Sequence, residues 1–231
     1  MEYLIFPLIV FAIIIGIRIA LINIQLSKST YSQITGNTVW NLILNKGNYG
    51  EFLTYRILEK CGENKILCNV YLPKSNGETT EVDLISINSK GIFVYESKNY
   101  SGWIFGDDKS RNWTQCLKGG KKNKFYNPVF QNKGHITAID NYLEKNYSNC
   151  FLSYIVFSER CELKKITVST DNVKVMNRNY LKKHLAQDKN TLPDVLLSED
   201  VNRIYDTLKS NTLVDELVKQ KHIENIRTKH L

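Results

Sequence analysis

The sequence predicts an α/β domain with a mixed central β-sheet flanked by helices, preceded by one transmembrane helix. Segments with helical and with alternating apolar spacing follow one another in the order helix, strand, hairpin, strand, helix, strand, helix. This order is typical of a mixed sheet covered by helices. The chain has 231 residues, of which 42% are hydrophobic, so it can enclose one core. A long apolar run at the N-terminus stands apart from this alternation.

The apolar run covers residues 3–24, and Arg18 is its only charged residue. About 20 such residues suffice to cross the hydrocarbon core, and an arginine near the end can extend to the interface. The chain starts with methionine and glutamate, without the positive charge of a secretory signal peptide. We therefore expect an uncleaved anchor over residues 1–26 that contacts lipid membrane through residues 3–24. Positive charge at Arg18 and Lys28 places the C-terminal domain of this single-pass protein in the cytoplasm.

Three segments follow the anchor. Residues 27–39 are polar and rich in serine and threonine, which predicts a linker. Residues 40–150 are predicted to form the core, and residues 151–231 to add strands and helices that complete or extend it. The five cysteines are odd in number and lack a CxxC pair, so we expect neither a disulfide framework nor a structural zinc site.

The first half of the core is predicted to contain a helix, a strand and a hairpin. Residues 48–61 place apolar side chains at helical spacing. Residues 65–72 are predicted to form a strand that ends at a Pro-Lys-Ser-Asn-Gly turn. In residues 80–99, apolar residues alternate on both sides of an Asn-Ser-Lys-Gly turn. Gly91 can adopt a positive φ there, so this segment predicts a hairpin.

Beyond the hairpin, short strands near residues 103–105 and 113–115 predict a β meander. Asn127 followed by proline is typical of an N-cap and a first helical position. The helix that begins there places Gln131 and His135 on one face. Further strands are predicted at 151–157 and 173–176, and further helices at 195–208 and 213–226.

The turn determines the register of the hairpin. We expect Ile87, the last apolar residue before the turn, to pair with Ile92, the first after it. Counting outward, Asp83 lies opposite Glu96. Because side chains at i and i+2 share a face, Lys98 lies on the same face as Glu96.

Two carboxylates opposite each other in a hairpin destabilise it. A Mg²⁺ ion held between Asp83 and Glu96 would compensate, since it takes one or two carboxylates and fills its other positions with water and substrate phosphate. Lys98 could then stabilise charge on a phosphate under attack. A solvated hairpin end, in which Glu81 pairs with Lys98, produces the same spacing.

The net charge is +8 with histidine neutral, and lysines cluster after the meander. Such a cluster suits a polyanion, either nucleic acid or an anionic membrane leaflet. A solvated surface produces the same run. The candidate nucleic-acid contacts are Lys118, Lys121, Lys122 and Lys124.

Five blocks occur in order along the chain: GNYGEFLTYRIL, NVYLP, TEVDLISINSKGIFVYESKNYSGWIFG, WTQ and KNKFYNPVFQNKGHI. Together they resemble the NERD (nuclease-related) domain family over residues 46–143. The family is considered similar to PD-(D/E)XK restriction-endonuclease-like nucleases, and its members often carry a transmembrane segment. The resemblance implies a restriction-endonuclease-like core within residues 40–150. It also implies cleavage of phosphodiester bonds that depends on Mg²⁺ or Mn²⁺, in DNA more than in RNA.

The resemblance also implies roles for individual residues. Asp83 and Glu96 would be metal ligands, and Glu51 on the first core helix would complete or organise the metal site. Lys98 would assist the activated water. Gln131 would position substrate phosphate or a catalytic water.

Three positions carry a second interpretation. Glu51 could simply stabilise the first turn of its helix through the helix dipole. His135 is a weaker candidate than Gln131, since a single histidine one turn along is more often a core residue. Ser97 stands where the ExK motif commonly has an apolar residue, and it points away from Glu96, so we expect it to affect packing more than chemistry.

The same sequence is compatible with two other functions. One is a membrane-tethered nucleic-acid-binding or scaffolding module that keeps the nuclease fold without turnover. The other is a partner of membrane proteins that acts through an apolar stripe of the last helix. That stripe consists of Leu213, Val214, Leu217 and Val218.

Overall fold

The structure is a computed structural model that describes residues 2–74, 77–212 and 224. The helix predicted over 213–226 therefore falls outside the described residues, apart from Glu224. The same holds for the apolar stripe of Leu213, Val214, Leu217 and Val218.

The described helices and strands alternate along the chain much as predicted. The helices are α1 (Glu2–Ser27), α2 (Tyr31–Thr35), α3 (Val39–Leu44), α4 (Lys46–Lys60), α5 (Pro128–Tyr142), α6 (Leu181–Thr191) and α7 (Ser198–Lys209). The strands are β1 (Ile66–Pro73), β2 (Thr79–Asn88), β3 (Gly91–Lys98), β4 (Gly102–Asp107), β5 (Asn112–Cys116), β6 (Lys122–Tyr126), β7 (Phe151–Phe157), β8 (Cys161–Thr167) and β9 (Val173–Asn177).

The central sheet is mixed, which confirms the predicted fold class. Its strand order is β1-β2-β3-β7-β9. The first three strands are antiparallel neighbours, whereas β7 is parallel to both β3 and β9. Helices α4 and α6 pack on one face of this sheet, and α5 and α7 pack on the other. A second sheet, in the order β6-β5-β4-β8, contains the predicted meander.

The hairpin β2–β3 has the predicted register, in which Ile87 pairs with Ile92. Alternate residues of β3 enter different cores. Phe93 and Tyr95 pack in the cluster beneath α4, whereas Ile92 and Val94 pack in the cluster beneath α5. The charged end of the hairpin therefore continues a face that α5 covers.

The segment predicted as a linker, residues 27–39, is folded onto the domain instead. It contains α2 and the start of α3, and Tyr31 is fully buried. The Tyr31 ring lies 5.3 Å, centroid to centroid, from the rings of both Phe52 and Tyr55 on α4. The polar composition suggested a linker, but one large aromatic side chain is enough to bind a short segment to a core.

Helix α1 could cross a membrane by its length and composition over Phe6–Ser27, and most of its side chains are exposed. Its last turns are different. Ile22 and Leu26 are buried against the domain, and Gln25 accepts a hydrogen bond of 2.6 Å from the Arg56 guanidinium. The end of α1 is thus attached directly to the domain.

Other described elements also lack a clear sequence signal. Strands β6 and β8 form the two edges of the second sheet, where lysine-rich sequences blunt an exposed edge and mask the strand pattern. Helix α6 is also unpredicted, and α7 begins at Ser198, later than the predicted 195. The reason is that the backbone N–H groups of Val195 and Leu196 both donate to the carbonyl oxygen of Ser89.

Candidate active site

The candidate site lies where strands β2 and β3 separate. Their ladder ends at the pair of Leu84 and Tyr95. Asp83 is the next residue of β2 away from the turn. Its side chain replaces the backbone pairing there, because Oδ2 accepts a hydrogen bond of 2.9 Å from the backbone N–H of Ser97. The opened ladder thus holds the Asp83 carboxylate between the two strands, next to Glu96.

Lys98 connects β3 to α5. Its Nζ lies 2.6 Å from Glu96 Oε1 and donates a hydrogen bond of 3.0 Å to Gln131 Oε1. The Glu96 side chain is 1% exposed and that of Lys98 is 17% exposed. This ion pair is therefore largely shielded from water. Its electrostatic interaction is stronger there than it would be at an exposed surface.

Helix α5 supplies Gln131 because its start is firmly held. The N-cap Asn127 accepts from the backbone N–H of Val129 and donates to the carbonyl oxygens of Asp107 and Ser110. Gln131 follows one turn later. We infer that the buried N-cap determines how far α5 reaches toward the end of β3.

The second turn of α5 brings His135 to the same place. Its Nδ1 lies 3.8 Å from Glu96 Oε2, and the side chain is buried. The adjacent Asn132 donates to the carbonyl oxygen of Val94 and to Ser153 Oγ, which fastens α5 to β3 and β7. His135 therefore packs behind Glu96, in keeping with its weaker candidacy.

Glu51 approaches the hairpin end from the other side, on α4. The N-cap of α4 is Asn45, so Glu51 lies in the second turn and not in the first. The helix-dipole interpretation of Glu51 is thereby wrong. Helix α4 can come close to the end of β3 because Gly50 has no side chain. An added Cβ on Gly50 would lie only 2.7 Å from Asn99 Cβ.

Ser97 contributes to the same close approach. Its hydroxyl lies 3.2 Å from Thr54 Oγ1 of α4, within hydrogen-bond distance. The side chain thus points toward α4, away from Lys98 and Gln131. Its small polar side chain serves helix packing, as expected.

The carboxylates of the site hold their protons more tightly than usual. Burial, and then the charge of Glu96, raises the pKa of Asp83 to about 7. Burial raises the pKa of Glu96 against the opposing effect of Lys98. Burial, followed by the charge of Asp83, raises the pKa of Glu51 well above its ordinary value. The site therefore concentrates more negative charge than Lys98 alone balances.

Glu81 belongs to this acidic group, although the sequence suggested it only as a surface partner of Lys98. It lies on β2 two residues before Asp83, and its charge adds to the rise in the pKa of both Glu51 and Glu96. The sequence contained a signal for this role of Glu81: its i, i+2 spacing from Asp83 places both side chains on one face of β2.

The donor set fits a hard divalent cation in one respect. Glu96 Oε2 is buried and has no hydrogen-bond partner among the described residues, so it keeps lone pairs for a ligand. In the described part of the chain, no group of three or more histidine, cysteine, aspartate or glutamate side chains is arranged to hold a metal ion. Mg²⁺ often takes only one or two carboxylates from a protein, and Asp83 and Glu96 would be those two.

The predicted lysine cluster lies on the second sheet. Lys118 and Lys121 are in the β5–β6 turn, whereas Lys122 and Lys124 are on β6, and all four are exposed. The structure brings Glu96, Lys98 and Gln131 into direct contact, with Asp83 and Glu51 nearby. It leaves these lysines outside that group. Their contact with nucleic acid stays a prediction.

Comparison with known proteins identifies the class to which this fold and site belong. The model of a nuclease-related domain, NERD, matches residues 46–158, a range that contains the whole candidate site. The chain is also 34% identical over 232 residues to an uncharacterized protein of Bacillus anthracis, covering 99% of this chain and 98% of that protein. No solved structure matches the chain. The chain belongs to the NERD family, and its function is nuclease-related.

Proposed function

We propose that this protein is a membrane-anchored nuclease that hydrolyses phosphodiester bonds of nucleic acid with Mg²⁺ or Mn²⁺. The observation that carries the proposal is the contact of Glu96, Lys98 and Gln131 beside Asp83, at a point where the sheet opens. Membership of a nuclease-related family supports the substrate class, and DNA is preferred over RNA by analogy with that family alone.

The residues of the site would divide the work as follows. Asp83 and Glu96 would hold the metal ion, with Glu51 completing or orienting the site. When bound, the ion would lower the pKa of the attacking water and neutralise charge on the phosphate. Lys98 is held by both Glu96 and Gln131, so its ammonium group is fixed where it can stabilise charge that develops in the transition state.

The anchor gives the proposal a location. Helix α1 would cross the membrane, and the positive charges of Arg18 and Lys28 favour a cytoplasmic domain. Because the end of α1 packs directly on the domain, the site would work close to the membrane surface.

Cleavage by the full chain in nonionic detergent tests the proposal. We expect plasmid and single-stranded DNA to be cut only with Mg²⁺ or Mn²⁺, and Asp83→Asn and Lys98→Ala to reduce the rate at least about 100-fold. Glu162→Gln is the matched control, because Glu162 is an exposed carboxylate paired with Lys164 on β8. Metal-independent cleavage, or equal cleavage by all three variants, would contradict the proposal.

One observation favours a second candidate, a nucleic-acid-binding module without turnover. Lys98 already balances part of the carboxylate charge through its contact with Glu96 without a metal ion. This candidate predicts salt-dependent binding that survives Glu96→Gln but weakens when the exposed lysine cluster is replaced. Metal-dependent turnover by the wild-type chain would exclude it.

A further inference from the structure

A second buried charge lies on the face of α4 that points away from Glu51. Arg178 begins a short 3-10 turn, Arg178–Tyr180, between β9 and α6, and it is 3% exposed. Its Nε, Nη1 and Nη2 have no hydrogen-bond partner among the described residues. The nearest opposite charge is the half-exposed Glu159, 3.7 Å from Nη2. A buried guanidinium without hydrogen bonds is costly, so an anion bound beside it would offset that cost.

The cavity beside Arg178 is rich in positive charge. It has a volume of about 310 Å³, and Arg56 and Lys60 of α4 line it together with Arg178. Of the described residues that line it, Glu159 alone carries a carboxylate. Three cations against one anion leave an excess of two positive charges, which suits a phosphate group. Guanidinium groups in particular bind phosphate oxygens through paired hydrogen bonds.

A neighbouring groove connects this cavity with α1. Leu53 and Glu159 line both spaces, and the groove has a volume of about 530 Å³. Its wall on α1 is mostly aliphatic and includes Ile15, Ile19 and Ile22, with Arg18 beside them. A ligand with an anionic group and an apolar extension could therefore place the anionic group in the cavity and the apolar extension in the groove.

The adjoining surface of α3 has membrane-interface character. Trp40 is 61% exposed and Leu44 is 82% exposed, and they lie one helical turn apart on a helix that contacts α1. Tryptophan is enriched at membrane–water interfaces. This exposed pair would therefore rest at the bilayer surface next to the point where α1 leaves it.

We propose that the Arg178 cavity binds the phosphate of an anionic phospholipid headgroup, whose acyl chains lie in the groove along α1. The proposal rests on α1 spanning a membrane, as proposed above, but not on nuclease activity. The lipid phosphate would contact Arg56 and Lys60, offset the charge of the buried Arg178 beside them and fix the domain against the bilayer.

Native mass spectrometry of the full chain in nonionic detergent tests the lipid site. Phosphatidylglycerol and phosphatidylcholine with the same acyl chains are added separately. We expect the anionic lipid alone to remain bound, and the double variant Arg56→Ala/Lys60→Ala to lower its affinity at least about tenfold. The control is Lys164→Ala/Lys165→Ala on β8, which removes the same charge from exposed positions. A conservative Arg178→Lys variant should retain the fold and bind the lipid more weakly.

Each other outcome overturns the proposal and identifies what replaces it. Equal retention of phosphatidylcholine means that no headgroup phosphate is selected. Displacement of the lipid by inorganic phosphate or by a short oligonucleotide means that the cavity serves a soluble anion. Recovery of the chain in the soluble fraction of cells means that the anchor itself fails. Cleavage of soluble DNA by the same preparation is independent of all three, so failure of the lipid site and of the nuclease site are distinguishable.

Discussion

Glu96 and Arg178 are both almost fully buried charged residues, and they belong to two regions on opposite sides of α4. Around Glu96, carboxylates from α4, β2 and β3 surround one lysine. Around Arg178, basic side chains from α4 and the 3-10 turn face one glutamate. Glu96 has a close ion-pair partner at 2.6 Å, whereas the nearest carboxylate to Arg178 is 3.7 Å away.

The difference indicates which kind of ligand would balance the charge of each region. The hairpin end is stabilised within the chain by Lys98 and still carries an excess of negative charge, which suits a metal ion. Among the described residues, Arg178 has no comparably close partner, and its cavity carries an excess of positive charge, which suits an anion. Removing Lys98 should therefore destabilise the first region, whereas removing Arg178 should not destabilise the second.

The largest expected effect on stability follows from removing Lys98. Lys98→Met keeps the length of the side chain but leaves Glu96 and Asp83 without a positive neighbour. Breaking a buried ion pair in this way costs about 3–5 kcal/mol. We expect the free energy of unfolding, measured by chemical denaturation of the metal-free protein in detergent, to fall by that amount.

The Lys164–Glu162 pair provides a matched control, because its Nζ to Oε1 distance is also 2.6 Å while both side chains are well exposed. Lys164→Met should change the free energy of unfolding by less than about 1 kcal/mol. Similar effects at Lys98 and Lys164 would mean that burial does not strengthen the pair at the hairpin end.

The next effect concerns pH. The pKa of Asp83 in the folded protein, about 7, lies above its value in the unfolded chain, so the folded state binds more protons between the two values. Without metal, stability should therefore be lost as pH rises toward and through 7. Asp83→Asn should flatten this dependence in denaturation measurements between about pH 5.5 and 8. A wild-type stability that rises over this range would contradict the acidic character of the site.

Mg²⁺ should oppose the same loss, because it binds the deprotonated carboxylates of the folded state. At a free concentration about 100 times its Kd, the gain in the free energy of unfolding is about 2.7 kcal/mol. Thermal unfolding at pH 8 with and without Mg²⁺ measures this gain. Asp83→Asn should abolish most of it, and an equal gain in that variant would locate the ion elsewhere.

The smallest effect is expected at Arg178. Arg178→Met removes a costly buried charge that has no hydrogen-bond partner among the described residues. In lipid-free detergent the free energy of unfolding should therefore not fall, and any rise should stay below about 2 kcal/mol. The same denaturation measurement applies. A loss of several kcal/mol would show that Glu159 stabilises Arg178 as strongly as Lys98 stabilises Glu96, and the contrast between the two regions would disappear.

Local patterns were sufficient to predict the hairpin. Alternation around the turn gave the pairing of Ile87 with Ile92. Counting from it placed Asp83 near Glu96, and in the structure the two carboxylates interact electrostatically just beyond the end of the ladder. The N-cap at Asn127 likewise predicted the start of α5, and so the face that carries Gln131. These features depend on residues close in sequence, where spacing maps directly onto geometry.

Contacts between distant segments were not predictable in this way. Nothing in the composition of residues 27–39 distinguishes a free linker from a segment that inserts Tyr31 between two rings of α4. Arg178 is one arginine in an irregular turn, and its burial depends on α4, which lies more than 100 residues earlier in the chain.

The sequence by itself determined the main helices and strands of the central sheet, the register of the hairpin and the group of residues that would act in the site. Side-chain periodicity and turn chemistry are local properties, so they can be read along the chain. Only the tertiary structure decided that Lys98 pairs with Glu96, that Glu81 joins the acidic group and that Arg178 is buried beside α4. Burial and charge balance depend on which segments distant in sequence come into contact. Those contacts are determined by tertiary packing and not by local sequence patterns.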